Sequence, residues 1–167
     1  VIVAGGGPAG SLAGIFAVRK GFKTIILEKA FKGRDKYCAG GLTDLASQFL
    51  LDHIGKEIEE VIEYTTNGIF MMSPSGKQLI IEYGKGYSYG WHMRRETFDA
   101  KLMEIAESSG VDFKERAFVK RVGKENGKIY VETAKSEKYS SDYLIVATGV
   151  LDKLGEQMGI PPLGTSS

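Results

Sequence analysis

The 167-residue chain has one cysteine, four prolines, one tryptophan and two histidines, and no excess of charge of either sign. A single thiol builds no disulfide framework. His53 and His92 have no acid or thiol at metal-ligand spacing, so they read as structural residues and no metal site is expected. Lysine and arginine number 22 against 21 acidic residues, a net charge of +1, without the field that draws a protein to nucleic acid. No apolar run approaches the ~18 residues of a membrane span. The longest, Leu12 to Val18, ends in Arg19 and Lys20, and its charges follow the apolar stretch, so this stretch is not expected to be a signal peptide. A cytoplasmic location without a transmembrane segment is the expectation. What is abundant is glycine, 22 residues beside a hydrophobic content of 43%. That pairing excludes disorder and points to tight turns or close backbone approach.

Val1 to Ala4 reads as a strand, Gly5 to Gly10 as a glycine turn, Ser11 to Lys20 as a helix stopped at Gly21, and Lys23 to Glu28 as a continuous apolar strand. This is a βαβ unit with a buried parallel sheet. A polar loop, FKGRDKYCAGGLT, then leads to a helix from about Asp44 to Ile54, with Thr43 or Asp44 as its N-cap. From Ile58 to Met93 the pattern becomes that of three or four antiparallel strands, with turns at Asn67-Gly68, Ser75-Gly76 and Gly84 to Gly86. Arg95 to Ser109 is helical up to Gly110. Strands are expected near Val111 to Phe113, Phe118 to Val122, Lys128 to Thr133 and Ser141 to Gly149, with Asn126-Gly127 as a hairpin turn and the final PPLGTSS as loop or tail. The fold class is α/β, a Rossmann-like dinucleotide fold with a parallel central sheet and a mainly antiparallel β insertion.

Gly5, Gly7 and Gly10 form GxGxxG after a strand and at the opening of a helix. The first glycine permits the sharp turn, the second lets the backbone approach a pyrophosphate, and the third lets the helix pack on the strand. Free amides and the dipole at the helix start meet the phosphate charge. Glu28, at the tip of the second strand, is placed to accept the hydroxyls of an adenosine ribose, and its charge disfavours a 2'-phosphate. FAD or NAD is therefore expected before NADP. Replacing Glu28 by alanine is expected to weaken FAD without unfolding the domain.

GGGPAGSLAG (with Gly5, Gly7, Pro8, Ala9 and Gly10), Glu28-Lys29, the loop Cys38-x-Gly40-Gly41-Leu42, and Arg95-x-x-Phe98-Asp99-x-x-Leu102 together resemble the FAD-dependent geranylgeranyl reductase family. These flavoproteins are built like para-hydroxybenzoate hydroxylase. The resemblance covers most of residues 1 to 149 and implies FAD as cofactor and hydride transfer from reduced flavin to C=C bonds of an isoprenoid chain. It implies that Cys38, Gly40 and Gly41 lie against the flavin ring, with Cys38 the catalytic candidate, and that Arg95 contacts the cofactor. Cys38 as a small packed hydrophobe and Arg95 in a surface salt bridge with Glu96 or Asp99 are the plain alternatives. At the late strand, Ala147-Thr148-Gly149 stands where many members of this fold have Ala-Asp-Gly, although Gly149 still permits close approach to the cofactor.

The resemblance also implies an isoprenoid or lipid substrate, an electron donor that the sequence does not name, and peripheral membrane contact through the substrate. An FAD monooxygenase and a non-catalytic FAD-binding fragment are the rival readings. Residues 1–167 are expected to be one FAD-binding domain, the incomplete N-terminal part of a longer enzyme, with 58–93 as a β-rich insertion on the substrate side. Trp91, His92, Tyr87, Tyr89, Phe70, Met71 and Met72 line an apolar slot there or form the core of a small sheet.

Overall fold

The computed structural model describes residues 1–82, 90–150 and 153–160. Along the chain run β1 (Ile2–Ala4), α1 (Pro8–Arg19), β2 (Ile25–Leu27), β3 (Gly41–Thr43) and α2 (Asp44–His53). A 3-10 turn (Lys56–Val61) follows, then β4 (Tyr64–Thr66), β5 (Gly68–Met72), β6 (Gln78–Glu82), β7 (Gly90–His92) and α3 (Arg95–Ser108). The remainder is β8 (Asp112–Lys114), β9 (Val119–Glu125), β10 (Lys128–Thr133), β11 (Lys138–Ser141), β12 (Leu144–Val146) and a short 3-10 turn (Glu156–Met158). These elements form two compact units, one from Val1–Arg34 and the chain from Leu102 onward, the other from Asp35–Lys101.

The first unit is the α/β part. Its parallel sheet has the order β12-β1-β2-β8, with Ile2 opposite both Leu144 and Ile25, and Ile25 opposite Asp112. Strands of such a sheet are covered on both faces, which is why IVA and IIL are apolar throughout. Ile2, Ala4 and Leu27 point into a core with Ala117, Val119, Val122, Val131 and Leu154. Ile26 points the other way, against α1, where a Cβ on Gly14 would lie 2.7 Å from its Cδ1. Helix and strand are therefore as close as a glycine allows. An antiparallel sheet, β11-β10-β9, completes the unit, and Asn126 (φ 51°) with Gly127 (φ 77°) makes the expected hairpin turn. The sequence pattern missed β11, and β12 is shorter than the expected Ser141 to Gly149.

The second unit is shaped by short pairings. Thr43 is the N-cap of α2, its Oγ1 accepting from the Ala46 amide at 3.4 Å. The loop expected through Thr43 instead ends at Gly40, because Gly41–Thr43 pairs antiparallel with Gly90–His92, and β4 pairs with the other edge of β7. Gly90 makes this possible, since a Cβ there would lie 1.9 Å from the Leu42 carbonyl oxygen. Ile58 is buried in a 3-10 turn rather than a strand. Asn67-Gly68 is not a hairpin turn either: β4 belongs to the β7 sheet and β5 pairs with β6, so the dipeptide carries the chain from one sheet to the next. The β5–β6 ribbon does turn near Ser75-Gly76 as expected, with the Ser73 amide donating to the Lys77 carbonyl at 2.8 Å. Its Phe70, Met71 and Met72 are exposed, so they are not the core of a sheet. Trp91 and His92 are half-buried. The turn expected at Gly84 to Gly86, Tyr87, Tyr89 and the PPLGTSS tail fall outside the described residues.

Candidate dinucleotide site and thiol cluster

The glycine turn lies in the first unit, between β1 and α1. Gly5 takes φ +101°, and a Cβ on it would lie 2.4 Å from the Ala147 carbonyl oxygen. A Cβ on Gly10 would lie 1.8 Å from the Gly5 carbonyl oxygen, so these two glycines are demanded by the turn and by helix packing. Gly7 differs. Within 4 Å, a Cβ there meets only Arg34 Nη2, at 3.4 Å. Gly7 is also the N-cap of α1, it supplies no side-chain cap, and Pro8 follows at the position where an amide proton is dispensable. The first amides of a helix have no carbonyl one turn earlier to bond, so the N-terminus of α1 offers donors and a positive dipole end beside an open approach at Gly7.

Glu28 is 3% exposed at the end of β2. Its Oε2 accepts from the Gly6 amide at 2.6 Å and its Oε1 from the Ala30 amide at 2.9 Å, while Arg34 Nε lies 3.4 Å from Oε1. Gly6 has no room for a side chain, since a Cβ would lie 2.6 Å from the Phe113 ring and 3.0 Å from the Glu28 Cβ. The carboxylate thus ties the glycine turn to the end of β2. A carboxylate has about four lone-pair sites, so acceptor capacity is left for a ligand hydroxyl. Sequence reasoning missed two residues here, Gly6 and Arg34. Arg34 follows Gly33 (φ +73°) in the loop after β2, and its half-buried guanidinium lies between Glu28 and Gly7. No local pattern in the sequence marks Arg34. Lys29 and Ala9 are exposed, and Gly149 is exposed with φ +89°.

Cys38, Gly40 and Arg95 lie together in the second unit. Cys38 is exposed, and the Gly40 amide donates to its Sγ at 3.5 Å. That hydrogen bond and, after it, the influence of the Arg95 guanidinium lower the thiol from its ordinary value. Arg95 in turn grips Asp99 with two parallel bonds, Nε to Oδ1 at 2.8 Å and Nη2 to Oδ2 at 2.9 Å. This is the Arg95–Asp99 bridge of the plain alternative, except that Asp99 is fully buried rather than at the surface. Gly40 (φ +71°) is glycine because a Cβ would lie 2.1 Å from the Met93 carbonyl oxygen, and Gly41 and Leu42 belong to β3. The backbone of this loop is thus set by β7 and the residue after it. His92 Nε2 lies 3.1 Å from Thr66 Oγ1, and His53 packs on Phe49. Among the described residues no cluster of His, Cys, Asp or Glu is suited to a metal.

A parallel sheet with a glycine turn, a buried acid at the end of β2 and an open helix N-terminus defines a Rossmann-type dinucleotide-binding protein. Residues 1–83 match the family described as FAD binding domain. The chain is 32% identical over 166 residues to digeranylgeranylglycerophospholipid reductase 1 of Methanococcoides burtonii, covering 96% of this chain and 40% of that protein. It superposes on a geranylgeranyl bacteriochlorophyll reductase-like protein of Thermoplasma acidophilum with a TM-score of 0.81 and 28% identity, over 95% of this chain and 41% of the other. It is also 32% identical to tryptophan 2-halogenase of Chondromyces crocatus, over 66% of this chain and 21% of that one. The chain is similar to the FAD-binding flavoproteins, the geranylgeranyl reductases among them, and FAD is its cofactor. It spans less than half the length of the reductases it matches.

Proposed function

We propose that this chain is the FAD-binding part of an oxidoreductase that reduces C=C bonds in the isoprenoid chain of a lipid. The observation that carries the cofactor site is the asymmetry of the turn, in which Gly5 and Gly10 are closed by protein while Gly7 opens beside Arg34 and the start of α1. Pyrophosphate oxygens would take the amides of Ala9 and Gly10 and the charge of Arg34, with Pro8 fixing the helix start. Glu28 would take the adenosine ribose. Lys29 and Gly149 complete the cofactor side of this reading. In the second unit, Gly40, Gly41 and Leu42 would carry Cys38 to the reacting end, with Arg95 holding the sulfur. Reduced FAD, when bound, supplies a hydride to one carbon of the double bond, and the protein must orient the chain and deliver a proton to the other. The second unit, inserted between Arg34 and Leu102, would then contribute to the substrate side.

Two experiments test this. In FAD titrations of the chain, Gly7→Val and Arg34→Met should each weaken binding at least about tenfold, since each removes a charge-assisted contact or the space for it. Binding at the parent's affinity in both would rule out the site. In the whole protein that carries this chain, a geranylgeranyl lipid and chemically reduced flavin under anaerobic conditions should give a more saturated product. The halogenase likeness supports a second reading, and substrate consumption that needs oxygen and adds oxygen or halogen would favour it. No helix among the described residues is long and apolar enough to cross a membrane. Contact with a membrane, in this reading, is peripheral and made through the lipid substrate.

A further inference from the structure

Most glycines among the described residues are explained by the chain itself, either by a left-handed backbone or by an atom that a Cβ would strike. Gly7, Gly41 and Gly155 are not: none has a positive φ, and a Cβ on each would meet nothing closer than 3.4 Å. Gly155 caps a short 3-10 turn, where glycine is common, and Gly7 belongs to the dinucleotide cradle. Gly41 is left over. It is exposed in β3, and a glycine within a strand weakens it, a cost that close approach of a ligand or another backbone explains. Among the described residues no other backbone takes that place, since a Cβ on Gly41 would meet only Cε1 and Nδ1 of His92, at 3.6 and 3.7 Å. His92 stands directly opposite Gly41 in the register of β3 and β7, and its Nε2 lies 3.1 Å from Thr66 Oγ1 on β4. The half-buried imidazole thus turns Nε2 toward one neighbouring strand and its Nδ1–Cε1 edge toward the other, beside the space that a side chain at position 41 would fill.

We propose that His92 is a further cofactor-binding residue, whose Nδ1 pairs with the polar edge of the flavin ring of FAD where that ring approaches the Gly41 backbone. The inference rests on the function proposed above, in which Glu28 holds the adenosine ribose, so that of the two flat rings of FAD the flavin is the one left for the second unit. The chemistry of the place fits that ring and not the isoprenoid chain. A hydrocarbon offers nothing to an imidazole nitrogen and would leave it desolvated and unpaired. The pyrimidine edge of a flavin carries carbonyl oxygens and a ring N–H. Neutral imidazole donates at one nitrogen and accepts at the other, and the Thr66 hydroxyl serves Nε2 as either donor or acceptor, so Nδ1 can meet a flavin acceptor or the flavin N–H.

FAD and ADP separate this contact from the dinucleotide cradle, because ADP has the adenosine and both phosphates but no flavin. In the chain, carbethoxylation of His92 by diethyl pyrocarbonate, followed on its own peptide, should slow about tenfold when free FAD is about ten times its Kd, the fall in the ligand-free fraction. ADP at the same saturation should leave the rate unchanged. Gly41→Ala adds one methyl group at ordinary contact distance from His92, so it should melt no lower than the parent yet bind FAD at least about fivefold more weakly, with ADP affinity kept. His92→Phe keeps a flat ring without the nitrogens and should likewise weaken FAD and spare ADP. Protection by FAD no greater than by ADP, or the parent's FAD affinity in both variants, overturns the inference and leaves the cradle to be judged on Gly7 and Arg34. A large fall in the melting temperature of Gly41→Ala also overturns it, since the chain itself would then demand the glycine. Should His92 not react in the free chain, the two variants decide. A parent chain that binds ADP but no FAD overturns the inference together with the function on which it rests.

Discussion

Glu28 performs two tasks, and substitutions separate them. With 3% exposure and the amides of Gly6 and Ala30 on its two oxygens, it is an internal brace of the glycine turn as well as a ligand acceptor. Glu28→Ala leaves two amides and the Arg34 guanidinium without that acceptor, at about 1–3 kcal/mol for each group that stays buried. The buried contacts add a cost in stability to the weaker FAD binding expected of alanine there. Thermal melts should show Glu28→Ala clearly destabilised, and melting at the parent's temperature would contradict the brace. Glu28→Gln keeps one carbonyl oxygen and the shape. It should melt closer to the parent yet bind FAD roughly ten- to a hundredfold more weakly, the value of one charge-assisted hydrogen bond to a ribose hydroxyl. At this scale the sequence was informative where a residue's type dictates its backbone, as at Gly5 and Gly10. It was silent on Arg34, whose position depends on how the loop after β2 closes rather than on any period in the chain.

Among the elements, glycines in left-handed conformations separate local from tertiary demands. A methyl group added at Gly127 (φ +77°) would have nothing within 4 Å, so Gly127→Ala should cost about 1–2 kcal/mol, the left-handed backbone alone. Gly40 (φ +71°) would in addition press its Cβ to 2.1 Å from the Met93 carbonyl oxygen, forcing β3 and the residue after β7 apart. Gly40→Ala should therefore lower the melting temperature more than Gly127→Ala, and the reverse order would mean that the Gly40–Met93 contact yields easily. The same distinction explains which elements were legible beforehand. The Asn126-Gly127 turn, α1, α3 and the apolar β1 and β2 carry local signals of turn chemistry or period. β3 (GLT) and β11 (KYSS) are short and carry none, and exist because β7 and β10 offer paired edges. The extent of the second unit, from Asp35 to Lys101, likewise follows from contacts that no local pattern encodes.

At the scale of the whole molecule, the near balance of charge and the β5–β6 ribbon act together. Phe70, Met71, Met72, Leu79, Ile80 and Ile81 are all exposed, and paired residues such as Phe70 with Ile80 and Met71 with Leu79 place apolar side chains on both faces of the ribbon. Two strands alone bury little, and a contiguous apolar patch is normally covered in a soluble monomer. A net charge of +1 and an isoelectric point near 7.9 provide almost no repulsion to keep copies apart at neutral pH. The chain on its own should therefore self-associate most strongly near pH 8 and bind a hydrophobic dye at this ribbon. Phe70→Thr with Ile80→Thr retains strand propensity while removing a cross-strand apolar pair, so it should lower dye fluorescence and raise the soluble fraction. The melting temperature should barely change, since these two side chains are 59% and 60% exposed and bury little area on folding. Unaltered dye binding and solubility in that double variant, or a large fall in melting temperature, would show that the ribbon is already covered in the folded chain and that association arises elsewhere.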